Sequence, residues 1–409
     1  MKENPRLRSD LAVVPVEIQG ERMLFFQDPA RWCEELIFVP MEFMPILQYF
    51  TGALTVREIQ ENLMRESGEL VASEVIGKIA EELDSQHLLD SENFRQYIAG
   101  IQAEWEKAET RAALLAGQSY PADPAELKKF LDQFYAGASG PGLPSENRGN
   151  QLKAIIAPHI DLGPNGSCYA HAYKRLVEES QAEVYIILGT AHSLTEELVV
   201  FTKKDFATPL GIARTDREFV DQARRRLRKK SYAGDFAHRG EHSIELQAIF
   251  LQHALAGKRE FKIVPVMISS FPMMVEIGES PADDLLVKDC IRALREEVQA
   301  CGKKVCLIVS ADLAHLGPKY GDQDGYLPIR EEEVKADDEK MLGHLLKGDA
   351  EGFFSEVAAL KDRRRICGLT PIYLAGKIAE PFRAELLKWS VAYDAQTKSA
   401  VSFCAMALY

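Results

Sequence analysis

Past residue 150 the apolar residues gather in short unbroken runs, separated by longer stretches with helical spacing. The runs 153–157, 183–188, 198–203, 261–268 and 305–310 predict strands buried on both faces. The patterns between and after them predict helices near 168–179, 216–229, 243–256, 283–300, 331–347 and 370–379. Such alternation argues a largely parallel sheet with helices on both faces. The pattern changes at the end of the chain, where 385–393 and 400–407 flank DAQTKS and predict a hairpin. The expected fold class is therefore α/β, a three-layer α/β/α arrangement with a mixed central sheet.

The first hundred residues follow a different rhythm. LAVVPVEI and RMLFF are β-rich runs on either side of Gln19-Gly20. Thr55 and Glu58 form a capping-box pair ahead of an apolar face of Val56, Ile59 and Leu63. Ser73 is placed to cap a second helix bearing Val75, Ile76, Ile79 and Leu83, and His87–Asp90 reads as a short wing strand. These elements predict a small winged-helix-like domain over 1–95. A charged, alanine-rich helical connector follows over 96–117, then the α/β domain over 118–409. The latter opens with Asp123 as N-cap, Pro124 at the first helical position and Glu126. A Gly/Pro/Ser-rich loop, 136–150, leads to the first buried strand.

Charge narrows the partners. The net charge of −13 argues against nucleic acid and anionic membranes, which both need basic surface. The second helix of the small domain carries Glu74, Glu81 and Glu82 against Lys78, so no basic recognition helix is present. No apolar run approaches the roughly 20 residues of a membrane helix, and the start of the chain has no apolar core like that of a signal peptide. Seven scattered cysteines without a C-x-x-C pair suggest neither a disulfide framework nor a zinc ribbon, and point to a reducing cytoplasm. The basic run Arg224–Lys230 closes a helix begun by Thr215 and Glu218, where cations offset the helix dipole.

The chemistry gathers at strand ends. KAIIAPHIDLG releases His159 and Asp161 after its strand, VYIILGTAHS releases His192, and VCLIVSADLAHLG releases Asp312 and His315. In open α/β sheets ligands bind at the carboxyl ends of the strands. EHSIELQ adds His242 and Glu245 near a helix start, and RRRICGLTP adds Cys367 before a helix capped by Thr370. Imidazole and thiolate together suit Fe, Cu or Zn and exclude Mg and Ca. Asp312 or Glu245 could orient a ligand imidazole, and His315, Asp312 and His242 would handle protons as the catalytic residues. Two other readings of Cys367 stand beside this one, a metal-free nucleophile activated by a histidine and an inert buried thiol. Asp161, Glu245 and Arg365 are expected to line the substrate pocket, where Arg365, in the cluster Lys361 with Arg363–Arg365, could hold an acidic substrate group.

Read in order, APHID, LGTAHS, HSIELQ, SADLAHLG, ICGLTPI and VAYDAQTKSAVSFCAMAL resemble the Memo family, whose prokaryotic members are called AmmeMemoRadiSam system protein B. YPADPAELKKFLDQF resembles that family's usual start, so the likeness spans roughly 118–409. It implies a fold similar to class III extradiol dioxygenases, with metal ligands at His159, His192 and Cys367 and with Asp312 and His315 lining the pocket. A cysteine stands where a dioxygenase would carry a carboxylate ligand, which argues against dioxygenase chemistry as such. Ile160 and Asp161 replace the small residue and glycine common in the family, adding a carboxylate near the site. The N-terminal stretch TGALTVREIQENL…VIGKIAEELDSQHLLD resembles PqqD-like peptide-binding domains. Radical-SAM and AMMECR1-like partners are implied by association, with a small molecule or a peptide as substrate. Two function classes remain open here, a metal-dependent redox enzyme and a non-catalytic binding or accessory protein.

Overall fold

The computed structural model describes residues 4–18, 20–28, 32–33, 36–68, 70–146, 149, 151–193, 195, 197–228 and 233–409. The expectations placed on Gln19, on part of the 136–150 loop and on Lys229 and Lys230 lie outside them. The chain divides into two compact units, 1–108 and 109–409.

In the smaller unit, β1 (Ala12–Ile18), β2 (Glu21–Gln27) and β3 (Ile37–Pro40) form an antiparallel sheet in that order. A short α1 (Met44–Leu47) leads to α2 (Val56–Ser67), α3 (Ser73–Ser85) and α4 (Glu92–Lys107). Leu24, Phe26, Ile59, Ile76, Leu83 and Leu89 meet in its core. Thr55 makes the expected reciprocal capping box with Glu58. Ser73 lies inside α3, and its hydroxyl turns to Gln60 while Ala72 stands at the N-cap. The expected wing does not form a strand, because Leu89 makes only an isolated bridge to Leu7. The helical connector is shorter than expected. Helix α4 ends at Lys107, and 109–120 belongs to the larger unit, where Arg111, Leu115 and Tyr120 are buried.

The larger unit runs β4 (Thr110–Arg111), α5 (Pro124–Ala136), β5 (Ala154–Ala157), α6 (Gly166–Glu179), β6 (Val184–Thr190), β7 (Val199–Phe201), β8 (Asp205–Thr208), β9 (Gly211–Ala213), α7 (Arg217–Arg226), α8 (Ser243–Leu255), β10 (Lys262–Ile268), α9 (Pro272–Ile277) and α10 (Leu285–Ala300). It closes with β11 (Val305–Ser310), β12 (His315–Leu316), α11 (Glu331–Leu346), α12 (Ala350–Ala358), α13 (Leu369–Ala379), β13 (Ala384–Asp394) and β14 (Ser399–Leu408). The main sheet is ordered β12-β14-β5-β11-β6-β10-β7, with β13 on β14. Its centre, β5-β11-β6-β10, is parallel, while β7 and β14 are antiparallel, so the sheet is mixed.

Alternation along the strands splits the core in two. Ile156, Ile186, Leu188 and Val309 face α10, α11, α12 and α13, whereas Ile155, Tyr185, Ile187 and Ile308 face α6 and α8. The crossover from β5 to β6 carries α6 on one face, and the crossover from β10 to β11 carries α10 on the other. The winding therefore reverses where β11 enters between β5 and β6. That is the topological switch point at which open α/β sheets form their crevice.

In the larger unit two more predicted caps are replaced. Asp216 rather than Thr215 caps α7, the Thr215 hydroxyl donating instead to the Lys204 carbonyl. Gly368, not Thr370, precedes α13. The Arg224–Arg226 end of α7 does sit where cations meet the helix dipole, and Arg226 and Arg228 also pair with Glu297 and Asp289 of α10.

Candidate metal centre

The sheet order decides what meets. Because β11 lies between β5 and β6, the segment after it, with Asp312, stands between His159 after β5 and His192 after β6. The His159 and Ile160 backbone N–H groups both donate to Asp312 Oδ1, at 3.0 and 3.3 Å. The rings of His159 and His192 lie edge to face with centroids 4.9 Å apart, and His242 stacks on His192 at 4.9 Å.

A buried polar net fixes these strand ends. Gln247 of α8 donates to the Pro158 carbonyl at 2.7 Å and to Ser310 Oγ at 2.9 Å, and Ser310 Oγ donates to the Ser243 carbonyl. Gly189 allows the close approach of α8. A Cβ there would stand 2.7 Å from Ser243 Oγ and 2.6 Å from Ile244.

Cys367 arrives from the opposite side. Its loop contains three non-glycine residues in the left-handed region, Lys361, Asp362 and Arg365, a conformation that needs surrounding support. Arg364 supplies part of that support through a buried ion pair with Asp338 at 2.6 Å, while its carbonyl accepts from the His315 N–H. Gly368 then packs against β11, where a Cβ would meet the Asp312 carbonyl at 2.5 Å and Ala311 Cβ at 2.6 Å. The result brings Cys367 Sγ to 3.3 Å from His159 Nε2 and 3.6 Å from the Asp312 carbonyl.

Three groups of donors emerge among the described residues, each with its atoms within 4.8 Å of one another: His159, His192 and Cys367; His192, Glu241 and His242; Asp312, His315 and Cys367. Bond lengths of about 2.0–2.1 Å to nitrogen and 2.3 Å to sulfur put tetrahedral neighbours roughly 3.3–3.6 Å apart. The His159–Cys367 separation has that size before any ion is added.

Two of the histidines have Nδ1 held by the protein. His192 Nδ1 lies 3.1 Å from both oxygens of Glu241, which makes Nδ1 the N–H and Nε2 the acceptor nitrogen of the neutral ring. His315 Nδ1 faces the carbonyls of Leu313 and Arg365 at 3.1 and 3.0 Å, with the same consequence. Burial pushes His159 well below the usual imidazole value, aided by His192 and His242, and pushes His315 down to about 4. Burial also raises Asp312 to about 7, although the N–H groups of His159 and Ile160 pull it back. Burial and the Asp312 charge push Cys367 well above the ordinary thiol value. A thiol raised in this way is a poor metal-free nucleophile, which weighs against that reading of Cys367.

Other expected residues sit elsewhere. Glu245 is fully buried, accepting from Arg111, the N–H groups of Leu114 and Leu115, and the Tyr120 hydroxyl. Its oxygens are therefore taken up within the fold, and the carboxylate held against the His192 imidazole is Glu241. Glu241 accepts the N–H groups of His192, His242 and Ser243 besides His192 Nδ1. These bonds hold it well below the usual carboxylate range although burial opposes them. Asp161 is exposed, and its carboxylate accepts the Leu162 N–H. Arg365 donates to the His315 carbonyl at 3.0 Å and pairs with Asp322, on the wall of a cavity of about 570 Å³ that Arg330, Arg363 and Arg364 also line. Five carboxylates on the same wall, from Asp322 to Asp362, offset those cations. Sequence reasoning passed over Glu241, although it directly precedes the histidine of EHSIELQ.

Comparison with known proteins agrees with the larger unit. The Memo-like protein family profile matches residues 111–407. A MEMO1 family protein of Pyrococcus furiosus is 31% identical over 299 residues, covering 69% of this chain and 93% of the relative. One from Methanopyrus kandleri is 30% identical over 294 residues, with 69% and 93% covered. A MEMO1 family protein of Aquifex aeolicus is 25% identical over 386 residues, 94% of this chain and 95% of its own, so that match runs into the smaller unit.

Proposed function

The chain belongs to the Memo family, and on that premise we propose that its pocket is a metal centre for redox chemistry on a small molecule or a peptide-linked group. His159, His192 and Cys367 are the ligands of this reading, and the observation that carries it is the 3.3 Å approach of Cys367 Sγ to His159 Nε2 beside a His192 whose Nδ1 is held by Glu241. The donor set suits iron or copper, with zinc as the redox-inert occupant. When bound, such an ion supplies a Lewis acid and, if iron or copper, an electron-transfer partner. The protein does the rest. Glu241 fixes the His192 tautomer, and the buried Asp312 holds the His159 backbone in place. His315 and His242 stand at the rim to accept or return a proton, and His192, whose side chain is 40% exposed, marks the entrance. The sulfur ligand replaces the carboxylate of class III extradiol dioxygenases, whose fold this reading shares, so the chemistry differs from ring cleavage.

A second reading, an accessory protein that binds a peptide or a radical-SAM or AMMECR1-like partner, draws support from the smaller unit. There β1 is the outer strand of its sheet among the described residues and is mostly exposed, as strand addition by a PqqD-like domain would require.

Metal analysis of anaerobically purified protein beside Cys367→Ser and His159→Ala tests the first reading. The expectation is near-stoichiometric metal in the wild type and loss in both variants. Full retention in both would overturn the ligand assignment, and metal in none would transfer the weight to the second reading. Removing residues 1–108 tests that one, since unchanged association with such partners would count against it.

A further inference from the structure

We propose that Arg111 is a positioning residue for the metal centre, acting through Glu241; the inference rests on the metal-site reading above. Arg111 is 1% exposed, yet it contacts no ligand. Its guanidinium reaches four places, one of them the Ala112 carbonyl, to which Nη1 donates at 3.0 Å. Nη1 pairs with Glu245, Nε donates to the His238 carbonyl at 2.6 Å, and Nη2 donates to the Glu241 carbonyl at 2.6 Å. The Phe206 ring covers it, with the guanidinium carbon 5.1 Å from the centroid.

The two carbonyls belong to the segment that enters α8, and the carboxylate belongs to the first turn of α8. One planar fork thus ties the loop before the helix to the helix itself. Lysine has no equivalent, since its donors leave a single atom. Glu245 completes the anchor: with four donors on its two oxygens it has no capacity left for a ligand and serves as a fixed post.

The consequence lies one residue away. Arg111 holds the Glu241 backbone, and the Glu241 carboxylate holds the backbone and ring of His192 and the backbone of His242. If the Glu241 carbonyl shifts, the carboxylate moves with it, and the His192 ring loses the bond that fixes its tautomer and direction. Groups that orient a ligand histidine typically carry about 10–100-fold in metal affinity when removed. Cys367, held by Arg364 and Gly368, does not depend on this wall.

The experiment compares wild type, Arg111→Lys and Arg111→Met with Lys303→Met, which strips the partner from the buried Asp216 outside the site. Cobalt(II) is titrated into metal-free protein, following the thiolate-to-cobalt charge-transfer band. Separately, ¹⁵N shifts of histidine in the metal-free proteins report the His192 tautomer, with the signal assigned by its loss in His192→Gln. The expected result is cobalt affinity about 10–100-fold weaker in both Arg111 variants, with the charge-transfer band still reached at saturation. The His192 shifts should move toward a tautomer mixture. Lys303→Met should lower Tm and leave affinity and shifts alone. Arg111→Lys serves if Arg111→Met does not fold. Unchanged affinity and unchanged His192 shifts in the Arg111 variants overturn the proposal. A wild type that binds no cobalt overturns the metal-site reading instead, and the ¹⁵N arm still decides whether Arg111 positions His192.

Discussion

The His159 N–H donates to Asp312 Oδ1 at 3.0 Å, and Asp312 Oδ2 lies 3.6 Å from His159 Nε2. One carboxylate thus touches both the backbone and the ring of the histidine on the neighbouring strand end. Both side chains are about 3% exposed, so burial rather than water dominates the charge state of each.

That pair predicts a pH signature in the metal-free protein. Asp312 titrates at about 7 when folded, against about 3.9 for an unfolded aspartate. Between those values the folded state binds more protons, so the contribution of Asp312 is complete below about 4 and is lost as pH rises to 7. His315, depressed to about 4, has the opposite sign: its contribution is present above about 6.5 and is lost as pH falls toward 4. Asp312→Asn should remove the first effect alone. Urea unfolding across this window should show the variant gaining on the wild type as pH rises, by on the order of 4 kcal/mol in total. A difference that stays flat with pH would refute the assignment.

Gly368 is expected to tolerate no side chain. Its φ of −76° suits any residue, so the obstacle is the 2.5 Å approach of a Cβ to the Asp312 carbonyl and not the backbone conformation. Gly368→Ala should destabilise by about 1–3 kcal/mol and lift the Cys367 turn off β11. Thiol labelling of folded, metal-free protein measures that lift. The variant should react faster at Cys367 than the wild type, and equal rates would show that the turn had not moved.

Arg364 and Asp338 give a clean double-mutant case. Asp338 is wholly buried and accepts from Arg364 at 2.6 Å and from Trp389 Nε1 at 2.8 Å. Arg364→Met strands that carboxylate and should cost about 3–5 kcal/mol, whereas adding Asp338→Asn should recover a good part of it. Because the arginine also braces the left-handed residues before Cys367, cobalt bound by the single variant should show a weakened thiolate charge-transfer band. A band of full intensity would confine the pair to stability.

The strand ends were legible because their signal is local: an apolar run, then a histidine or aspartate. The run of β5 into His159 and of β11 into Asp312 needs no partner to be seen. Glu241 and Arg111 were not legible for the opposite reason. Their roles depend on contacts 49 and 130 residues away, to His192 and to the Glu241 carbonyl, and no periodicity encodes those. Glu245 was misplaced by the same limit. The i, i+3 spacing puts His242 and Glu245 near one face of α8, but the helix is buried nearly all round, so the carboxylate found Arg111 instead. The wing expected at His87–Asp90 failed because a run of two leucines does not supply a strand to pair with, and Leu89 makes only an isolated bridge to Leu7.

Glu241 is the sharpest remaining test of the site. An amide at this position keeps one acceptor oxygen but presents two N–H donors to a nest of N–H groups from His192, His242 and Ser243. Glu241→Gln therefore loses the anion and adds a donor clash, while Glu241→Asp keeps the charge and shortens its reach. The glutamine variant should lose about 10–100-fold in cobalt affinity, and the aspartate variant should lose less. The two should separate further in the ¹⁵N spectrum: where charge rather than shape governs the His192 proton, only the aspartate variant retains the histidine shifts of the wild type. Equal losses in both would mean that the length of the side chain, and not its charge, holds the ring.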